Sequence, residues 1–101
     1  MILACGKVIF RSDAVKALEA SLLAYVKECR KSDGCHRFSM AIEDKSTGEV
    51  AVCEIWESDE AMAEHLKKPF VKDFIAKFGP AITTADLQRY DISTARAAPS
   101  A

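Results

Sequence analysis

The order in which strand and helix signals follow one another, β-α-β-β-α-β, constrains the fold of this chain more than any other feature. Residues 2 to 10 are apolar and β-favouring, with Ile2, Ala4, Gly6, Val8 and Phe10 on one face and Leu3, Cys5, Lys7 and Ile9 on the other. Both faces are largely apolar, so something must cover each. Ser12 is placed to cap a helix over 13 to 31, in which Val15, Leu18, Leu22, Val26 and Cys29 recur at helical spacing. Lys27, Arg30 and Lys31 suit its C-terminal dipole, and Gly34 is the expected stop. Alternation over 35 to 43 sets His36, Phe38, Met40 and Ile42 on one face and Arg37, Ser39, Ala41 and Glu43 on the other. The run Asp44-Lys45-Ser46-Thr47-Gly48 reads as a turn, and a strand over 49 to 57 completes a hairpin with Val50, Val52, Glu54 and Trp56 on one side. Ser58 caps a second helix in which Met62, His65 and Leu66 share a face. Pro69 ends that helix and opens another bearing Phe70, Phe74 and Phe78, with Val71 and Ile75 beside them, up to Gly79-Pro80. A last strand spans about 83 to 92.

This order predicts an α+β fold of the ferredoxin-like, split β-α-β kind: an antiparallel sheet with helices on one face. One domain fills residues 1 to 93, and 94 to 101 read as a flexible tail. At 101 residues and 50% hydrophobic content, the chain can build one modest core. The second sheet face is apolar too, and a second copy of the same sheet is its simplest cover, which predicts a homodimer through the sheet faces. Fourteen basic and fifteen acidic residues leave a formal charge of −1, so no electrostatic footprint for nucleic acid or an anionic membrane is present. No apolar run approaches the roughly 20 residues of a membrane span. Without a targeting segment, a cytoplasmic location is expected, with Cys5, Cys29, Cys35 and Cys53 as reduced thiols. No C-x-x-C occurs, and His36 and His65 have no zinc spacing with the cysteines.

The chain resembles the antibiotic biosynthesis monooxygenase family over about residues 2 to 92. The resemblance rests on the order and spacing of Ile2-Leu3 through Phe10, Gly34-Cys35-x-x-Phe38, Glu54-Ile55-Trp56-Glu57-Ser58-x-x-Ala61, His65-Leu66-x-x-Pro69, Phe74 and Arg89-Tyr90-Asp91-Ile92. It implies a dimeric α+β barrel, two sheets face to face, with a cavity in each protomer between sheet and helices. It also implies cofactor-independent oxidation of quinols and polyketide phenols. Two positions depart from the family's pattern: Phe70 stands where a second histidine often follows the proline, and Phe38 where tyrosine is common. The haem-degrading branch uses an asparagine, a tryptophan and a histidine where this chain has Lys7, His65 and Ile75, so haem degradation is not expected. Trp56 matches the strand-three tryptophan of the tetracenomycin and actinorhodin-type enzymes.

His65, on the apolar face of a helix, is the expected catalytic base, because an imidazole titrating near pH 6.5 can take a phenolic proton. The same position suits a core histidine that pins helix to sheet. Trp56 is either a flat wall for an aromatic substrate or ordinary core. Phe70 and Phe74 belong to a core stripe and could form the pocket's mouth. Arg89, with Arg37 and Glu54, is either a cavity charge that binds an anionic oxygen or orients His65, or half of an inter-strand ion pair. Cys5 and Cys53 lie on neighbouring elements and behave by default as small buried hydrophobes. The sequence carries no nucleotide-binding glycine motif, metal cluster or haem-attachment motif, so no cofactor is expected. The expected partners are a small aromatic substrate and dioxygen. Two other readings share the fold: a non-catalytic small-molecule binding or stress-response module, and an isomerase or lyase working by acid–base chemistry.

Overall fold

In the computed structural model, which describes residues 1–100, the chain folds into a four-stranded antiparallel sheet in the order β2-β3-β1-β4 with three helices on one face. The strands are β1 (Ile2–Phe10), β2 (Cys35–Asp44), β3 (Glu49–Trp56) and β4 (Ile82–Asp91). The helices are α1 (Val15–Cys29), α2 (Asp59–Leu66) and α3 (Pro69–Phe78). This is the α+β, ferredoxin-like arrangement expected from the element order. Among the described residues no helix is long and apolar enough to cross a membrane. Residues 93–100 carry no helix or strand and are exposed.

Every residue of the predicted α1 stripe is buried: Val15, Leu18, Leu22, Val26 and Cys29. Leu18, Leu22, Val26 and Cys29 pack in one cluster with Ile2, Ala4, Val8 and Phe10 of β1, Phe38 of β2, and Val50, Val52 and Trp56 of β3. The period of two along the strands and of 3.6 along the helix thus meet in one core. The 44–48 turn forms as read: the Asp44 carboxylate accepts from the amides of Ser46 (2.9 Å) and Thr47 (3.3 Å). Gly48 has φ +80°, and a Cβ there would lie 1.9 Å from the Phe10 carbonyl oxygen, so only glycine fits. Ser58 caps α2, its Oγ accepting from the Ala61 amide at 3.1 Å, and Pro69 takes the first turn of α3.

Several local expectations change. Ser12 does not cap α1: residues 12–14 form a 3-10 turn, and α1 starts at Val15 without a side-chain cap. The helix ends at Cys29 rather than 31. Gly34 therefore sits beyond it, in the turn into β2, with φ +78° and a hypothetical Cβ 2.6 Å from the Ala61 Cβ. It is required by close approach to α2 rather than as a helix stop. The β2–β3 register shifts between Cys35 and Arg37, so His36 is the extra residue of a bulge and leaves the Phe38 face. His36 is instead exposed and paired with Glu57. Leu66, the last residue of α2, is 50% exposed and does not join Met62 and His65 in the core. Ile75 likewise turns to solvent, while Val71 is fully buried.

The second sheet face is open. Leu3, Cys5 and Ile9 of β1 and Ala51, Cys53 and Ile55 of β3 are only half-buried. Strand β4 is exposed at all ten residues, Leu87 and Tyr90 among them.

Candidate functional site

His65 enters the core because α2 is short and capped at Ser58, which aims positions 62 and 65 at the sheet. Its ring is 2% exposed. Nδ1 lies 2.8 Å from Ser32 Oγ, a buried hydroxyl in the α1–β2 connection. The ring packs 4.6 Å from Trp56, 5.7 Å from Phe38 and 6.0 Å from Phe70, centroid to centroid. Burial, with a smaller contribution from the Lys68 ammonium, holds its pKa below the ordinary imidazole value. The imidazole is therefore neutral near pH 7.

Trp56 is fully buried, and its indole N–H donates to Glu54 Oε1 at 2.9 Å. Glu54 faces the helices from mid-strand, and desolvation raises its pKa despite that hydrogen bond. It does not orient His65; it serves Trp56. Tyr25 of α1 extends the cluster, stacked on Phe74 at 3.7 Å and 6° and edge-on to Phe38 and Phe70. Its hydroxyl lies near the Cys29 thiol. Burial pushes the phenol well above its ordinary range and Cys29 up to about 12. Tyr25, Phe74, Phe70, Phe38, His65 and Trp56 thus form one contiguous aromatic cluster.

Two surface clefts border this cluster. One, of about 390 Å³, is lined by Ser32, Gly34, Ser58, Glu64, His65 and Lys68 among others. The second, of about 290 Å³, runs between α1 and α3 along Ser21, Tyr25, Phe70, Phe74, Lys77 and Phe78. Trp56 lines neither, being sealed behind His65 and Phe38. Four of the five candidate site residues, His65, Trp56, Phe70 and Phe74, are therefore brought into one cluster. Arg89 is not among them: its Nη1 pairs with Asp59 Oδ1 at 3.1 Å on the surface, both side chains more than 60% exposed. Arg37 is also exposed.

Sequence reading did not single out Tyr25 or Ser32. Tyr25 had a signal: it lies three residues after Leu22 and four before Cys29, on the flank of the apolar stripe. Ser32 had none, because a loop serine acquires its role only when α2 arrives above it.

Residues 1–77 match the family model described as Antibiotic biosynthesis monooxygenase. Among solved structures, the chain is similar to a candidate antibiotic biosynthesis monooxygenase from Deinococcus radiodurans, at TM-score 0.82 and 21% identity over 99% of this chain and 100% of that one. It is similar to Rv0793 from Mycobacterium tuberculosis, at TM-score 0.79 and 25% identity over 95% and 98%. A candidate monooxygenase of the same kind from Chloroflexus aurantiacus aligns at TM-score 0.76 and 23% identity over 95% and 96%. No curated protein matches the chain.

Proposed function

Because the chain belongs to the antibiotic biosynthesis monooxygenase family, we propose that it oxidises an electron-rich quinol or polycyclic phenol with dioxygen, without a cofactor, and that His65 is the base. The observation that carries this reading is the state of His65: desolvated, kept neutral, tethered at Nδ1 by Ser32 and walled by aromatic rings. A proton on Nδ1 shared with Ser32 Oγ leaves the lone pair on Nε2. Nε2 takes the phenolic proton, and the resulting anion passes one electron to dioxygen. The radical pair recombines at a ring carbon to give a peroxide, which loses water. In sum the phenolic C–OH, a ring C–H and O₂ become the two C=O groups of a quinone and H₂O, so one oxygen atom ends in product and the other in water. The protein supplies the base, and apolar walls that exclude water. The substrate would meet the base in the cleft that His65 lines, between the 32–34 turn and α2, with Phe70 packed against the His65 ring; Phe70 and Phe74, with Tyr25, line the separate cleft between α1 and α3. Trp56 backs His65 from behind. Arg89 remains outside this arrangement while Asp59 holds it. The half-buried apolar residues of the open sheet face support a homodimer closed across that face.

One observation favours the binding-module reading: Trp56 and His65 are closed off from bulk solvent. The test separates the two. Oxygen uptake by the metal-stripped protein is measured against hydroquinones, naphthols and anthrones, with autoxidation subtracted. Uptake that falls on the order of 100-fold in His65→Gln supports the base. Uptake unchanged in that variant removes His65 from the chemistry. Ligand-induced thermal stabilisation with no uptake makes the chain a binding module. Solvent deuterium entering product without oxygen consumption makes it an isomerase or lyase.

A further inference from the structure

Arg30, just past the end of α1, reaches across the gap between that helix and the edge of the sheet, and its Nε donates to the Phe38 carbonyl at 2.9 Å. Strand β2 is an edge strand, with β3 on its other side. A residue of an antiparallel strand turns its C=O and its N–H the same way, so the Phe38 N–H also points outwards, beside Arg30. Among the described residues, no acceptor meets either Nη group of Arg30 and no carboxylate pairs with it. The tether at Nε fixes the guanidinium plane and leaves its outer edge free, a fork that suits a carboxylate.

From that point an apolar groove of about 310 Å³ runs between α1 and β2. Leu22 and Val26 form its floor, and Leu23, Met40 and Ile42 its rims. Leu23 is 63% exposed, and Met40 and Ile42 are half-buried, so the groove holds apolar surface that a ligand can cover. Its two ends differ in charge. At the far end Lys45 Nζ pairs with Glu19 Oε2 at 2.7 Å across the gap. At the near end Arg30 is unpaired, and the cleft beyond it, lined by Cys35, His36, Arg37 and Ser39, has no carboxylate in its walls among the described residues. The groove shares no residue with the His65 cleft or with the cleft between α1 and α3. Met40 and Ile42 stand opposite Val52 and Val50, on the helix side of the sheet. A second copy laid on the outer face therefore leaves the groove open.

We propose that this groove binds a free medium-chain fatty acid, its carboxylate on the Arg30 fork and the Phe38 N–H and its tail along Leu22, Leu23, Val26, Met40 and Ile42. The walls select the tail: they are aliphatic and carry no aromatic ring, so they suit a flexible chain rather than a flat one. The length follows from the strand. Phe38 to Ile42 spans about 13 Å at the usual strand rise, and the Lys45–Glu19 pair closes the groove beyond. A charge at one end and an apolar run of that length together define the ligand class.

The test is titration calorimetry on the full chain with sodium decanoate, kept below its micelle concentration, together with amide NMR shift mapping. The expected result is saturable binding, with shifts centred on Leu23, Arg30, Phe38 and Met40. Decanol, the same tail without the charge, should bind at least about 10-fold more weakly. Arg30→Gln should weaken decanoate binding by about the same factor. Because Arg30 also braces β2, Leu23→Glu is the companion variant: at an exposed position it sets a carboxylate beside the tail and should weaken binding likewise, whereas Leu23→Met retains it. Any of four outcomes overturns the proposal: no saturable binding of decanoate to the folded wild-type chain, decanol binding as tightly as decanoate, affinity unchanged in Arg30→Gln or Leu23→Glu, or shifts centred on the His65 cleft or the outer sheet face.

Discussion

The two faces of one sheet differ sharply although the same strands build both. Facing the helices, Ile2, Ala4, Val8, Phe10, Phe38, Val50, Val52 and Trp56 are all buried. Facing away, Leu3, Cys5, Ile9, Cys53 and Ile55 are only half-buried; the edge strand β4 is exposed on both faces, with Leu87 on the helix side and Tyr90 on the other. The outer face is the more polar, with Lys7, Arg37, Ser39 and Glu49, but that alone does not account for Leu3, Ile9 and Ile55 being left half-exposed. What differs is whether the chain carries its own cover. Three helices cover the first face over β1, β2 and β3 but not over the edge strand β4; the second face has a row of apolar groups whose burial needs another surface.

The contrast gives its largest expected effect at adjacent residues on opposite faces. Trp56→Ala should cost about 3–5 kcal/mol in urea unfolding, through the cavity it leaves. It also removes the donor to Glu54 Oε1. Ile55→Ala should cost about 1 kcal/mol when the protein is dilute. Equal losses at every protein concentration would break the comparison. Next, Ile55→Asp should move the protein from dimer towards monomer in sedimentation equilibrium and leave its Tm independent of concentration, whereas wild-type Tm rises with concentration. A monomeric wild-type chain would remove the second copy as the cover.

A third effect is pH-dependent and belongs to the helix side alone. The folded pKa of His65 is depressed, chiefly by burial. Its stabilising contribution is therefore complete above the unfolded value of about 6.5 and is lost as pH falls through the folded value. Glu54 acts in the opposite sense: its raised folded pKa makes the folded state bind more protons, so its contribution falls as pH rises through the acid range. Stability measured against pH should lose its His65 slope in His65→Gln and its Glu54 slope in Glu54→Gln. Unchanged slopes would mean that neither group is desolvated. The smallest effect is expected at Arg89→Ala, where an exposed pair with Asp59 is removed: a change in unfolding free energy within about 1 kcal/mol. A larger loss would show that β4 is anchored through that pair.

Much of the fold was legible because periodicity carries it. The α1 stripe, the 44–48 turn, the Ser58 cap and the Pro69 break all follow from local chemistry. The expectations that changed depend on neighbours distant in sequence. Gly34 looked like a helix stop, but its need for glycine comes from Ala61 on α2. His36 looked like a member of the Phe38 face, but a bulge against β3 displaces it. The site was legible in part: His65, Trp56, Phe70 and Phe74 do cluster. Tyr25 and Ser32 join them only through tertiary contact, and Arg89 leaves them through its pairing with Asp59.

The sequence by itself determined the order of elements, the residues each turns to the core, and the surplus of apolar groups on the second face. Those follow from the backbone's fixed repeats and from turn residues acting over a few positions. Only the tertiary structure decided which polar groups meet: Ser32 with His65, Glu54 with Trp56, and Arg89 with Asp59. Each of these pairs joins separate positions through register and packing, and a hydrogen bond tolerates errors of only a few tenths of an ångström. Local pattern places an element within a few residues; side-chain chemistry needs the final geometry.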